Sequence, residues 1–298
     1  MSARGLSDLG AVALGTPVLA AWDAFLDVVT DPGTDLDLPS RLAGWTGRDV
    51  CAHLGRWTGH DIVEDLLAAA AAPETGPRPD RDEVNAALVA QHRDTPTDEI
   101  VSALVRARES LDDFFARPDA DDLGRLVAAS DVGELPVLSL LHASTYELAV
   151  HALDLRPCGA PAPPQVLLDR GLAALIDVTG ALCSRSGIGI TLTAQTPTGG
   201  WQLESDATGW QTRGTSPGRV TGTGASASAA DLLDTSAGRT NLAQLLVTRR
   251  LVVHQLPSFM RLAPLLHDVP GLPGGAALRT AVAGLGGVGR VLGRLRRS

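Results

Sequence analysis

The stretch Thr145-Tyr-Glu-Leu-Ala-Val-His-Ala-Leu-Asp154 contains two carboxylates and one imidazole among mostly apolar residues. On a helix, Glu147, His151 and Asp154 follow one another at spacings of four and three residues, so they project from one face. Helical bundles often build metal sites in their cores from Glu and His at this spacing. An ordinary surface contact between residues four apart explains the same pair, so this stretch alone leaves both interpretations open.

A second segment offers a third ligand. Thr46 is a predicted N-cap, reinforced by Asp49 three residues later, for a helix that runs to about Ala71. His53 lies in this helix between Ala52 and Leu54. A lone histidine in such a place is usually a core or surface residue. However, a buried Glu and His on the other helix would be costly without partners, and His53 can complete a metal site with them.

The first half of the chain is predicted to be a helical bundle, with a domain over residues 1–156. Short links join the predicted helices, as in bundles of antiparallel helices. Pro136 falls in the first turn of the last helix, where proline is tolerated. Besides the helix that begins after Thr46, the predicted helices cover residues 9–29, 84–92, 99–115 and 133–155.

Residues 157–164 hold four prolines and form the best candidate boundary between domains. Beyond them, short β-like runs separated by turn residues predict a small α+β domain over 165–298 with a mostly antiparallel sheet and a helical C-terminal extension. The predicted helices are 166–184, 225–235 and 241–249. The predicted strands are 189–194, 200–205, 209–213, 219–223 and 251–255.

The segment Gly44-Trp-Thr-Gly-Arg-Asp-Val-Cys-Ala-His-Leu54 resembles a motif of the DinB-like metalloenzymes that use mycothiol. Residues 147–154 are similar to the second motif of that family, in the same order and at a similar spacing. The best described members are maleylpyruvate isomerase and the mycothiol S-transferases. Many members append a sterol-carrier-like α+β domain, so the resemblance covers nearly the whole chain. It departs before Gly44, where Leu42 and Ala43 replace the family's frequent Cys-Pro.

This resemblance implies a four-helix bundle that holds zinc, or another divalent metal, through His53, Glu147 and His151. Three protein ligands leave a fourth position open, as in catalytic zinc sites. In the family, that position receives the thiol of mycothiol, which the metal deprotonates. The expected enzyme transfers mycothiol to a small electrophile, exchanges it or isomerises the electrophile, for example a natural-product intermediate. The motifs do not distinguish these reactions.

Weaker candidates surround this trio. Asp154 either orients a ligand histidine or is an ordinary carboxylate at a helix end. Arg239 matches an arginine that faces the metal cleft in the family, where it either holds a substrate carboxylate or is a surface residue. His60 is seven residues after His53 on the predicted helix and is more simply a surface histidine. Cys51 is interpreted as a packing residue.

Composition excludes several other classes. A net charge of -9 argues against general nucleic-acid binding. Neither a signal peptide nor an uninterrupted apolar span long enough for a membrane is recognisable, which predicts a cytoplasmic protein. The three cysteines, odd in number and widely spaced, are expected to be buried free thiols. The arginines in 290–298 form either a solvated tail or a contact with a membrane surface or partner.

Two hypotheses compete with catalysis. In one, the α+β domain carries a lipid or another small molecule and the bundle is structural. In the other, the chain is a regulatory member of the family that has lost activity. The expected partners of the enzyme are a small thiol and an electrophilic substrate. Whether the chain is a monomer or a homodimer stays open.

Overall fold

The computed structural model describes residues 4–72, 81–130, 132–262 and 265, without the side chains of 81 and 82. The first part of the chain is helical, with one short β-hairpin. Its helices are α1 (Ala11–Val29), α2 (Gly47–Leu54), α3 (Ile62–Ala71), α4 (Arg81–Gln91), α5 (Thr97–Phe115), α6 (Ala120–Gly124) and α7 (Val137–Asp154), and its hairpin strands are β1 (Val127–Ser130) and β2 (Gly133–Pro136).

Four of these helices form the predicted bundle. Helix α1 packs against α5 and α7, and α3 packs against the same two helices, which closes a four-membered ring. Leucine and phenylalanine fill its centre, since Phe25, Leu104, Leu141 and Leu148 have no exposed surface. The apolar stripes of α1, α5 and α7 thus meet in one core, as their spacing predicts.

Helix α1 is long and apolar enough to cross a membrane by length and composition alone. Within the protein, however, it is a core helix of the bundle. Trp22 is only 3% exposed and Phe25 is fully buried against the neighbouring helices. The same apolar surface would face lipid in a membrane span, so its burial in the protein explains the composition of α1 without a membrane.

The predicted capping box is present at the start of α2. The Thr46 side chain accepts from the backbone N–H of Asp49, and the Asp49 carboxylate accepts from the backbone N–H of Thr46. The prediction of one helix from here to Ala71 is wrong, because α2 ends at Leu54. Gly55 turns the chain into an extended conformation.

Two contacts stabilise this break between α2 and α3. The Trp57 indole N–H donates to the carbonyl of Ala52, which folds the connecting segment back onto α2. Asp61 then caps α3 by accepting from the N–H groups of Val63 and Glu64. A cap starts a new helix where its N–H groups would otherwise lack partners, so α3 is independent of α2.

The predicted helix over 133–155 also begins later than expected. Residues 133–136 form β2, which pairs antiparallel with β1, and α7 starts at Val137. Pro136 is therefore the N-cap residue of α7, not part of its first turn. The correction leaves the ligand-bearing part of the helix unchanged.

The second part of the chain is an α+β unit built on one sheet of five strands. The sheet order is β5-β4-β3-β6-β7, with β3 and β6 parallel and the other neighbours antiparallel. Its elements are α8 (Gln165–Arg185), β3 (Ile190–Thr196), β4 (Gly199–Asp206), β5 (Gly209–Thr215), β6 (Gly224–Ser226), α9 (Ala229–Ser236), α10 (Leu242–Val247), β7 (Val252–His254) and α11 (Leu256–Phe259).

The predicted fold class, a helical bundle followed by an α+β unit, is confirmed. The predicted strand over 219–223 is wrong, since the strand in this region is β6, which begins at Gly224. The helix expected from 225 begins at Ala229, where the Ser228 side chain caps it. The arginine-rich stretch 290–298 lies outside the described residues.

Helix α8 joins the two parts. It packs against α1 and α7 of the bundle on one side and against β4 and β5 of the sheet on the other. Gly171 allows the close approach to α7, because a Cβ there would collide with the Cβ of Ala149. The end of α7 thereby lies next to α9, and this junction contains the candidate site.

Candidate metal centre

Three predicted ligands converge at the junction. His53 lies in the last turn of α2, and Glu147 and His151 lie one turn apart on α7. One ligand atom of each side chain lies within 4.8 Å of the others. The Nε2 atom of His151 is 3.4 Å from Oε2 of Glu147. The ring centroids of His53 and His151 are 5.4 Å apart.

The donor set fits a divalent metal ion. Zinc binds imidazole nitrogen and carboxylate oxygen at roughly 2.0–2.2 Å, which places two donors of a tetrahedral site about 3.3 Å apart. The distance of 3.4 Å between Glu147 and His151 matches that separation. His151 is 5% exposed, so its imidazole nitrogens are largely removed from competing water. Two imidazoles and a carboxylate are also a ligand set that several divalent metals accept.

The indole of Trp45 covers the cluster near His53. Its ring centroid is 5.7 Å from that of His53, and the two rings meet edge to face. Trp45 and Thr46 lie just ahead of α2, so the capping box that starts the helix also places the indole. The residues that start α2 thus also place an indole against the His53 ring.

Asp154 lies on the far side of the His151 ring. Its Oδ2 atom is 3.1 Å from Nδ1 of His151, and the carboxylate has no exposed surface. An Nδ1–H that donates to this carboxylate leaves Nε2 as the nitrogen that faces Glu147. A carboxylate behind a ligand histidine sets its tautomer and ring orientation in many metal sites.

Two arginines hold Asp154 in place. Nε of Arg41 and Nε of Arg239 each lie 3.2 Å from Oδ1 of Asp154. Arg41 also binds Asp234 through both terminal nitrogens, at 2.9 and 2.7 Å. The backbone N–H of Arg41 donates to the Asp154 carbonyl as well. A carboxylate buried without such partners would be strongly unfavourable.

The pKa values of this group follow from its partners. Burial alone would lower the pKa of His151, but hydrogen bonds to Asp154 and Glu147 outweigh it and raise the pKa to about 9. Burial also disfavours the charged form of Asp154. Its pKa is nevertheless lowered, because His151, Arg239 and Arg41 stabilise the carboxylate. The two carboxylates that flank His151 thus favour a positive charge at its ring.

The remaining candidates lie outside the trio. His60 is on the segment between α2 and α3, where its Nδ1 is 3.7 Å from a carboxylate oxygen of Asp65. All three cysteines are buried free thiols, as predicted. Burial raises the pKa of the Cys51 thiol, and the nearby Cys158 adds to the effect. A thiol that resists ionisation is a poor nucleophile, which agrees with the interpretation of Cys51 as a packing residue.

Sequence reasoning missed Arg41 and Asp234. Arg41 belongs to an irregular loop, and Asp234 is one of the two acidic residues of α9. Neither has a spacing that connects it to the site, because their contacts bridge distant parts of the chain. Arg239 was a candidate for a substrate carboxylate, and in this structure its guanidinium contacts Asp154.

A comparison with protein families shows which family the bundle matches. Residues 18–156 match the family described as the mycothiol maleylpyruvate isomerase N-terminal domain. This part of the chain belongs to that family. The predicted resemblance is therefore confirmed, and the helical part of the chain is the domain of a mycothiol enzyme family. No curated protein matches the chain.

Two solved structures are similar to the chain. One is the mycothiol-dependent maleylpyruvate isomerase, and the other is a histidine-to-alanine mutant of that isomerase. Each is 22% identical to the chain, with a TM-score of 0.47. Each alignment covers 77% of this chain and 88% of the solved one.

Proposed function

We propose that the chain is a zinc-dependent enzyme that activates the thiol of mycothiol and transfers it to, exchanges it on or isomerises a small electrophile. The observation that carries this proposal is the convergence of His53, Glu147 and His151 within 4.8 Å from two separate helices. Family membership of residues 18–156 supports the use of mycothiol. The metal, the reaction and the substrate are the parts that go beyond that membership.

In this proposal, the three ligands hold the metal and leave one position open for a thiol. A metal in this place lowers the pKa of a bound thiol, so that the thiolate is available at neutral pH. Asp154 accepts a hydrogen bond from the Nδ1–H of His151 and would thereby keep Nε2 directed at a bound metal. Arg41 and Arg239 compensate the charge of Asp154.

We propose a second role for Arg239, besides its contact with Asp154. Its side chain is 18% exposed, at the edge of the site where α9 meets α7. A planar guanidinium can bind a carboxylate with two parallel hydrogen bonds. We propose that Arg239 also orients an electrophile that carries a carboxylate. In this proposal, the substrate binds between two domains. The first is the bundle, proposed to cover 1–156. The second is proposed to cover 165–298, and for it we retain the sterol-carrier-like assignment.

The alternative is a lipid or small-molecule binding protein with a structural bundle and no catalysis. The convergence of His53, Glu147 and His151 disfavours it. Packing a bundle does not require two imidazoles and a carboxylate around one point, with a further buried carboxylate behind one of the imidazoles. We further propose a cytoplasmic location, where small thiols and the free cysteines stay reduced.

The test is elemental analysis of the full chain, followed by a thiol-adduct screen with mycothiol and a panel of electrophiles that includes maleylpyruvate. We expect about one metal ion per chain in the wild type and in the control His60→Ala, and almost none in His53→Ala. The control removes a histidine outside the cluster. Metal-free protein at high purity, or equal metal in His53→Ala, would contradict the proposal.

A further inference from the structure

A buried carboxylate lies where the N-terminal segment, residues 4–9, meets the α+β part of the chain. Asp177 on α8 is 1% exposed. Its Oδ1 atom accepts from the backbone N–H of Leu6 and from the indole N–H of Trp210 on β5, each at 3.0 Å. Both donors are neutral. The charged neighbour that acts on Asp177 is another carboxylate, that of Asp8. This buried acid therefore faces neutral groups and a like charge.

The N-terminal segment packs closely on this carboxylate. It begins with a parallel β-bridge between Arg4 and Trp210, and Gly5–Leu9 forms a 3-10 helix. A Cβ on Gly5 would collide with Oδ1 of Asp177 and with Nε1 of Trp210. Gly5 also has a φ of +63°, a conformation that favours glycine. The absence of a side chain at residue 5 thus allows the backbone to approach the buried acid.

This contact connects the two parts of the chain. Gly10 joins the N-terminal segment to α1 of the bundle, whereas Trp210 belongs to β5, the outermost strand of the sheet. The contacts of Asp154 connect the same two parts between α7 and the segment after α9. The N-terminal segment is therefore a second attachment, and it uses other elements than the metal centre.

The protonation of Asp177 should control the strength of this attachment. A carboxylate buried without a cation costs more free energy when it is ionised than when it is protonated. Burial raises the pKa of Asp177 to about 6, and Asp8 adds to the rise, while the hydrogen bonds from Leu6 and Trp210 oppose it. The neighbours on β5, Trp210 and Thr212, carry no charge. Detachment of the segment exposes the carboxyl to water, where its pKa returns towards 3.8.

We propose that the N-terminal segment is a pH-dependent attachment that holds the α+β part to the bundle most firmly when the Asp177 carboxyl is protonated. Loss of the proton leaves a negative charge in the closed contact, where two neutral N–H groups stabilise it less well than water does. Detachment of the segment lets water reach the carboxylate. The attachment therefore tightens in acid and loosens towards neutral pH.

Hydrogen exchange of the full-length chain, followed by mass spectrometry of its N-terminal peptide, tests the proposal. In the wild type, we expect the protection factor of this peptide to fall by about 10-fold between pH 5 and pH 8. Linkage between a pKa of about 6 in the closed contact and 3.8 in the open one gives this value. Most of the fall should occur below pH 7. Asp177→Asn keeps the shape of the side chain without its charge, so its protection factor should change by less than about 2-fold.

The matched control Asp169→Asn makes the same change eight residues earlier on α8. Asp169 also accepts from an indole of the sheet, that of Trp201 at 3.1 Å, so this variant should keep the pH dependence of the wild type. Gly5→Ala blocks the close approach and should leave the peptide weakly protected at both pH values. Circular dichroism reports whether each variant is folded.

Three results would overturn the proposal. They are equal protection of the wild type at pH 5 and pH 8, the same fall in folded Asp177→Asn, and loss of the fall in folded Asp169→Asn. Strong protection of the peptide in Gly5→Ala would also contradict the close contact on which the proposal depends. The experiment needs neither metal nor thiol, so its result is independent of the proposed enzyme.

Discussion

Helix α7 contains two buried histidines with opposite properties. His142, near its start, is 2% exposed, and His151, near its end, is 5% exposed. Burial lowers the pKa of His142 to about 4, helped by the charge of Arg170. At His151, burial acts in the same direction, but Asp154 and Glu147 reverse it and raise the pKa to about 9. Almost equal burial thus produces opposite protonation.

The difference teaches that partners, not depth, distinguish the proposed metal-binding histidine from a core histidine. The Nδ1 atom of His142 has no hydrogen-bond partner among the described residues, so this ring stays neutral. His151 lies between two carboxylates, an arrangement that attracts a cation, whether a proton or a metal ion. Position on the helix separates the two rings by nine residues, yet only one faces acidic groups.

The largest expected effect is on metal binding. We expect His151→Gln to weaken metal affinity by more than about 100-fold, beyond the loss caused by removing a supporting partner, because a ligand itself is lost. The matched change His142→Gln on the same helix should keep the metal content of the wild type. Chelator competition measures both affinities. Similar affinities in the two variants would remove the distinction between the two histidines.

The next effect concerns the carboxylate behind His151. Asp154→Asn should reduce metal affinity by roughly 10- to 100-fold, because an amide holds the Nδ1–H tautomer less firmly. The control Asp234→Asn breaks the outer pair with Arg41 and leaves the contact with His151 intact, so its effect should be much smaller. The same chelator titration applies. Equal losses in the two variants would mean that Asp154 has no special relation to the ligand.

The two histidines should also make the free energy of unfolding of the metal-free protein depend on pH in opposite directions. His142 should produce an acidic limb of this pH profile, and His151 an alkaline limb. The folded pKa of His151 is raised, so its stabilising contribution is complete below about 6.5 and is lost as the pH rises through about 9. The folded pKa of His142 is lowered, so its neutral form favours folding above about 6.5, and stability falls as the pH drops towards about 4. Each limb should amount to on the order of 1 to 3 kcal/mol.

Urea unfolding in the presence of a chelator, between pH 4 and pH 10, measures these limbs. His142→Gln should flatten the acidic limb relative to the wild type, and His151→Gln should flatten the alkaline limb. The difference between variant and wild type removes the contribution of other carboxylates. A variant that alters the opposite limb would show that its partners have been assigned wrongly.

The smallest expected effect is at the edge of the site. Arg239→Lys keeps the charge near Asp154 but removes the planar fork, which should cost about 1 kcal/mol or less in stability. In the enzyme, KM should rise several-fold for electrophiles with a carboxylate and stay unchanged for uncharged ones. Steady-state kinetics with a matched pair of substrates checks this. Equal changes in KM for both substrates would contradict a role of Arg239 in binding the substrate carboxylate.

Helical periodicity predicted that Glu147 and His151 share one face of a helix, and the resemblance to the mycothiol enzymes implied that they bind a metal together with His53. Glu147 and His151 lie four residues apart on one helix, and the capping box at Thr46 predicts the start of the helix that contains His53. The break after Leu54 was missed because Val50, Leu54 and Trp57 keep helical spacing across it, although Gly55, Gly59 and Asp61 are signals for it. It results from Trp57, whose indole N–H binds a carbonyl of the preceding helix.

The supporting half of the site was largely hidden for a related reason. Arg41 lies 113 residues before Asp154, and Asp234 lies 193 residues after Arg41, so no local pattern connects them. The parallel pairing of β6 with β3 was missed in the same way. Contacts between distant segments depend on how the elements pack, and the spacing of residues in one sequence does not record that packing.

The grip on Asp154 has a consequence for how such chains are assembled. The loop before α2 contributes Arg41, and the segment after α9 contributes Arg239, so one carboxylate ties together three stretches of polypeptide. A recombination event, natural or engineered, that fused this helical module to another C-terminal module would strip the carboxylate of one cation. Chimaeras should therefore keep their metal-site geometry only when the incoming module brings an equivalent arginine.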